Sequence, residues 1–141
     1  MKLSKKLKAK VIDDELELSA VIKKILQRYG CDVQTFPDPT KACAASVDPC
    51  FHCPKESPCT DLIITDMRMP RMNGLELLKL QRQCGCKVLD ANKALMSAIL
   101  TTHQQTELIE LGYCFFQKPF KLTDVEQWIN ECSKRVQEEA D

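Results

Sequence analysis

Five residues stand where short apolar runs end, and their types suit one kind of chemistry. Val11-Ile12 runs into Asp13-Asp14-Glu15, and Leu62-Ile63-Ile64-Thr65 runs into Asp66. Ser97 closes Ala94-Leu95-Met96, and Lys118 follows Phe115-Phe116-Gln117, directly before Pro119. Carboxylates gathered in one place repel, and a cation must offset that repulsion. A cluster that offers only oxygen suits Mg²⁺. Three acids, a hydroxyl and an ammonium around one crevice are the parts needed for phosphoryl transfer to a carboxylate. The cation and Lys118 neutralise phosphoryl oxygens, Ser97 donates to a third, and a carboxylate attacks in line. A single acid at a strand end is as easily a solvated cap. Three converging acids with a lysine are harder to dismiss.

Convergence depends on the elements. Strands are expected over Lys8–Asp13, Cys31–Phe36, Asp61–Asp66, Ala94–Ala98 and Tyr113–Lys118. Helices are expected from Glu15 to Tyr29, from Asp38-Pro39 to Ala45, over Leu75–Gln81, over Gln104–Leu111, and at the C-terminus. Gly30 and Gly112 sit where helix ends favour a left-handed residue. In the last helix Leu122, Val125, Ile129, Cys132 and Val136 form an apolar stripe, and Thr123-x-x-Glu126 matches a capping box. Strands alternating with helices imply an α/β fold: a doubly wound, five-stranded parallel sheet with right-handed crossovers. With strand order 2-1-3-4-5, flavodoxin-like, the first and third strands are neighbours. Their C-terminal ends then carry the site.

The chain has 141 residues, enough for one domain, expected to span 1–141 with a Cys-rich insert loop at about 47–60. Twenty basic and 20 acidic residues cancel, which argues against a general nucleic-acid or membrane-surface binder. The apolar run after the basic start MKLSKKLKAK, Val11-Ile12, is cut at once by Asp13-Asp14-Glu15, so neither a signal peptide nor a membrane helix can be built from it. A cytoplasmic location is the expectation. Nine cysteines, an odd number without a signal peptide, favour metal binding or reduced thiols over a disulfide framework.

The motifs VIDDE, DLIITDMRMPRMNGLELL, LMSA and FFQKPF, in this order and along nearly the whole chain, resemble the receiver domain of two-component response regulators. The resemblance implies that Asp66 is the phosphoacceptor, with a phosphohistidine on a sensor histidine kinase or phosphotransfer protein as donor. It implies Mg²⁺ held by Asp14 and Asp66 directly, by Asp13 through water, and by the backbone carbonyl of Arg68. Lys118 and Ser97 would bind the phosphoryl group, and the Lys118–Pro119 bond would be cis. Ser97 and Phe115 would form the switch that remodels the surface of the fourth helix, fifth strand and fifth helix, a face that could also dimerise. Such a module is a phosphoacceptor, promoting only its own phosphorylation and dephosphorylation. Output would come from an unknown partner or from another domain.

Two features depart from the pattern. Arg68 and Ile99 lie two residues past Asp66 and Ser97, where the family tunes loss of the phosphoryl group to water; an apolar Ile99 cannot orient water, so slow autodephosphorylation is expected. The second is Cys50-x-x-Cys53-x5-Cys59 together with Cys84-x-Cys86, in loops at the opposite edge of the sheet. These thiols, with His52 as a substitute ligand, could hold structural Zn²⁺ in tetrahedral thiolate coordination; reduced, partly buried cysteines are the other reading. Three functional alternatives stand beside phosphotransfer. A phosphorylation-independent receiver-like interaction domain would keep the fold without the chemistry. A haloacid-dehalogenase-type phosphatase needs an acid two residues past its nucleophile, where this chain has Arg68. A redox sensor would need an activated thiol.

Overall fold

The computed structural model describes residues 6–39 and 56–140. The first strand, β1, is Lys8–Ile12; helix α1, Leu16–Arg28, follows, then β2, Asp32–Phe36. After the Cys-rich segment come β3 (Leu62–Asp66), α2 (Gly74–Gln83), β4 (Lys93–Ser97), α3 (Thr102–Leu111), β5 (Cys114–Gln117) and α4 (Leu122–Ala140). The helix expected from Asp38-Pro39 falls almost wholly on residues outside the described ones. The expected fourth and fifth helices are α3 and α4.

The five strands form one parallel sheet in the order β2-β1-β3-β4-β5. Successive side chains of a strand point to opposite faces, so each strand feeds two cores. Val11, Ile64, Met96 and Phe116 face Ile22 and Leu26 of α1 and Val125, Trp128, Ile129 and Cys132 of α4. Ile12, Ile63 and Leu95 face Leu75, Leu77 and Leu78 of α2 and Leu108 of α3. Every residue of β3 and β4 is buried, as a parallel sheet covered on both faces demands. Trp128, absent from the expected stripe, meets Phe116 edge-on at 5.5 Å between ring centroids, and its Nε1 donates to the Ala91 carbonyl at 3.1 Å.

Helix ends account for several boundaries. Gly30, Gly85 and Gly112 are all left-handed, and each closes a helix with the paired backbone bonds of a glycine C-cap: Cys31, Cys86 and Tyr113 donate to the carbonyls of Leu26, Gln81 and Leu108. Past α2, whose C-cap is Cys84, residues 84–92 run as a loop that carries a short 3₁₀ turn at Asp90–Asn92. The expected capping box on the last helix is corrected, because α4 already begins at Leu122 and Thr123 lies inside its first turn. The full capping boxes are Asn73 with Glu76 and Thr101 with Gln104. They open α2 and α3, the helices that leave β3 and β4.

Candidate functional site

The chain leaves β1 toward β2 on one side and turns at β3 toward β4 and β5 on the other. The C-terminal ends of β1 and β3 therefore flank the switch point, where open parallel sheets carry their sites. Asp13 and Asp14 follow β1, and Asp66 ends β3. One carboxylate oxygen from each lies within 4.8 Å of the others. Among the described residues this is the only cluster of three or more potential metal ligands from His, Cys, Asp or Glu.

The cluster is partly withdrawn from water. Asp13 is fully buried and Asp66 nearly so, whereas Asp14 is exposed. Asp13 Oδ1 accepts from the Glu15 amide at 2.9 Å, while Oδ2 is buried with no hydrogen-bond partner. Burial, reinforced by the Asp66 charge, raises the Asp13 carboxyl to about 6; the Glu15 bond and Lys118 oppose the rise. Lys118 Nζ donates to Asp66 Oδ1 at 2.8 Å. Burial pulls the lysine pKa down, but its bond to Asp66 and the charges of Asp66, Asp13 and Glu15 more than offset this and leave it raised. An orphaned buried oxygen in an all-oxygen cluster carrying more negative than positive charge fits a hard divalent cation.

Backbone geometry fixes the loops around these acids. The Gly74 amide donates to the Met67 carbonyl at 2.9 Å, and a Cβ on Gly74 would collide with the Asp66 carbonyl and lie 2.6 Å from Leu95 Cδ2. Gly74 is thus required by close approach, not by its backbone angles. Arg71, with φ +73°, is the only non-glycine with positive φ among the described residues; Met72 N donates to Pro70 O across it at 2.8 Å, a strained three-residue turn. An exposed ion pair, Arg71 to Asp38 at 3.2 Å, ties this turn to the end of β2. The Lys118–Pro119 peptide is cis.

Ser97 ends β4 beside the cluster, but its hydroxyl is engaged locally. Oγ donates to the Ile99 carbonyl at 2.8 Å and accepts from the Ile99 amide at 3.3 Å. Phe115 is half-buried against the α2–α3 core. Arg68 is exposed and, with Asp14, Met67, Asn73, Ile99 and Gln104, lines an open crevice of about 580 Å³.

The expected thiol cluster has no counterpart among the described residues. Cys84 is buried at the end of α2, Cys86 packs at the edge of the same core, and Cys59 accepts from Lys10 Nζ at 3.5 Å. No three of these described thiols come within ligand distance of one another. Cys50, Cys53 and His52 lie outside the described residues. Two features escaped the sequence reading. One is the Lys10–Cys59 contact. The other is Lys93, fully buried at the start of β4, its Nζ 3.9 Å from Asp90 Oδ1 and 5.9 Å from the Tyr113 ring centre. A lysine at a strand start normally reads as solvated, so spacing carries no signal for it.

The family model of the response regulator receiver domain matches residues 10–130. The chain belongs to that family. It is 30% identical over 118 residues to the transcriptional regulatory protein FlgR of Helicobacter pylori, covering 82% of this chain and 26% of FlgR. It is 28% identical over 120 residues to sporulation initiation phosphotransferase F of Bacillus subtilis, covering 82% and 84%. It is 27% identical over 118 residues to the DNA-binding response regulator MtrA of Mycobacterium tuberculosis, covering 79% and 43%. The chain thus spans less than half of FlgR and of MtrA. In fold it is similar to the Francisella response regulator 1452 receiver domain, with a TM-score of 0.72 at 24% identity over 92% of this chain and 98% of that one. The CheY-like receiver domain protein of Methanospirillum hungatei gives 0.73 at 20% identity over 96% and 99%.

Proposed function

We propose that this chain accepts a phosphoryl group on Asp66 from a phosphohistidine, carried by a sensor histidine kinase or a phosphotransfer protein. The observation that carries this reading is the Lys118–Asp66 contact of 2.8 Å inside the three-acid cluster. It sets an ammonium beside a carboxylate, next to the crevice that Asp14 and Met67 line. In the reaction an Asp66 oxygen forms the bond to phosphorus as the phosphorus–nitrogen bond breaks, and the imidazole leaves with the electron pair. Lys118 turns from the carboxylate to a phosphoryl oxygen. Asp13, Asp14 and Asp66, with the Arg68 carbonyl, would hold Mg²⁺, which when bound neutralises charge on the transferring group.

Ser97 and Phe115 form the switch in this reading. The hydroxyl leaves the Ile99 carbonyl for the phosphoryl group, and the Phe115 ring turns inward. The readout surface is then α3, β5 and α4, which meets an output partner, an attached domain or a second copy of the chain. Ile99, 69% exposed on the crevice wall, offers attacking water no polar partner, and the phosphoryl group is long-lived.

Labelling by radioactive acetyl phosphate with Mg²⁺ tests the assignment. The parent chain takes up label, and Asp66→Asn and chelated samples do not. Full labelling of Asp66→Asn would refute Asp66 as the acceptor. Failure of beryllofluoride to bind with Mg²⁺ would favour a receiver-like domain that works without phosphorylation.

A further inference from the structure

The described cysteines are not equivalent. Burial pushes the thiols of Cys31 and Cys114 up to about 11 and that of Cys132 to about 12, and Cys84 is shut inside the α2 end. Cys31, Cys84 and Cys132 are thereby kept from chemistry that needs a solvent-accessible thiolate, whereas Cys86 and Cys114 are partly exposed. Cys59 is half-exposed, and Lys10 Nζ donates to its sulfur at 3.5 Å. The Lys10 side chain is itself placed, with Nζ 5.7 Å from the centre of the Phe36 ring. Lys10 lies in mid-β1, paired in register with Gln34 and Ile63, and Cys59 stands three residues before β3. An amine and a thiol from separate segments are thus held one short step from bonding distance.

We propose that Cys59 is a peroxide-reactive cysteine and that Lys10 captures its oxidised form as a covalent sulfur–nitrogen bond, a sulfenamide. In the first step the sulfur attacks one peroxide oxygen and the oxygen–oxygen bond breaks. The thiol becomes a sulfenic acid, oxidised by two electrons, and the peroxide is reduced, one oxygen leaving as water. In the second step the Lys10 ammonium gives up a proton and its nitrogen attacks sulfur. The sulfur–oxygen bond breaks, and the departing hydroxide takes a second proton from nitrogen to leave as water. A sulfenic acid condenses with a nearby nitrogen in this way when one is held in reach. The product ties β1 to the segment entering β3, and a reducing thiol reverses it. The site is separate from Asp66, and it makes the same domain responsive to a second, oxidative input.

The test is mass spectrometry of the full chain, purified reduced and freed of reductant, after hydrogen peroxide treatment and proteolysis. The expected product joins the peptides bearing Lys10 and Cys59, at their summed mass less two hydrogens, and vanishes on reduction. Lys10→Arg keeps the positive charge but should lose this product entirely, its Cys59 instead being trapped by dimedone or carried on to the sulfinic acid. Recovery of unmodified Cys59 while other cysteines oxidise would overturn the proposal. So would Cys59 appearing only in disulfides, or an unchanged product pattern in Lys10→Arg. The parent chain decides the matter even if a variant fails to fold.

Discussion

Asp13→Asn, studied in chelated buffer, should stabilise the protein at neutral pH. Asp13 is fully buried, and its Oδ2 has no hydrogen-bond partner. Burial first, and the Asp66 charge after it, raise its carboxyl from 3.8 to about 6. In the unfolded chain it ionises near the ordinary aspartate value. Below that value both states hold the proton and no penalty exists. As pH rises from about 4 to 6 the unfolded chain releases a proton that the folded chain retains, so stability falls across this window. Above about 6 the loss is complete. Two pH units at roughly 1.4 kcal/mol each give about 3 kcal/mol as an upper figure. Asparagine has nearly the same volume and no charge, and escapes this term. Urea unfolding followed through Trp128 should give a variant more stable by about 2–3 kcal/mol at pH 7, the gain shrinking toward zero at pH 4. Saturating Mg²⁺ should erase or reverse the difference, because a ligand that binds only the folded parent stabilises it. A variant no more stable at pH 7, or equally favoured at pH 4, would refute the view that Asp13 is held folded against its own charge.

Other expected outcomes follow from single contacts. Gly74→Ala drives a methyl group into the Asp66 carbonyl and Leu95, an overpacking cost of roughly 1–3 kcal/mol; thermal unfolding should fall by about 3–10 °C and acetyl phosphate labelling should slow. At Arg71 the usual order of small residues should invert, with Arg71→Gly more stable than Arg71→Ala by about 1 kcal/mol, because both lose the Asp38 ion pair but only alanine keeps the strain at φ +73°. Phosphorylated chain freed of donor should keep its label for minutes or longer, and a half-life of seconds would remove the role given to Ile99.

The legible part of the fold was the part governed by period and by helix ends. Runs such as Leu62–Asp66 are apolar throughout because β3 is covered on both faces, and that continuity is visible without any structure. The acids were legible for a related reason: a parallel sheet sends all its strand ends to one side, so sequence position translates directly into proximity. What stayed hidden depends on one element meeting another at side-chain scale. Nothing in the spacing shows that Gly74 is pressed against the Asp66 carbonyl, or that Lys93 is enclosed near Tyr113 and Asp90. The capping boxes at Asn73 and Thr101 are readable motifs, but so is Thr123, which matches the pattern and lies inside its helix.

The cysteines show where that reasoning breaks. Placing Cys59 and the Cys84–Cys86 pair at one edge of the sheet correctly uses topology, but an edge is several residues wide and a thiolate site needs sulfurs within a few ångströms. Helix capping decides the outcome for one of them: with Gly85 closing α2, Cys84 becomes the last core residue of that helix and turns away from solvent. Cys59 meets a lysine of β1 instead. The same rule that gathers the acids therefore does not gather the thiols. Asp13 and Asp14 directly follow adjacent strand β1 and Asp66 ends β3, so the sheet register fixes their separation. Cys84 and Cys86 follow a helix whose end is set by its cap, and Cys59 precedes its strand by a turn. Proximity is predictable from sequence only where hydrogen-bonded register carries it to the residue itself.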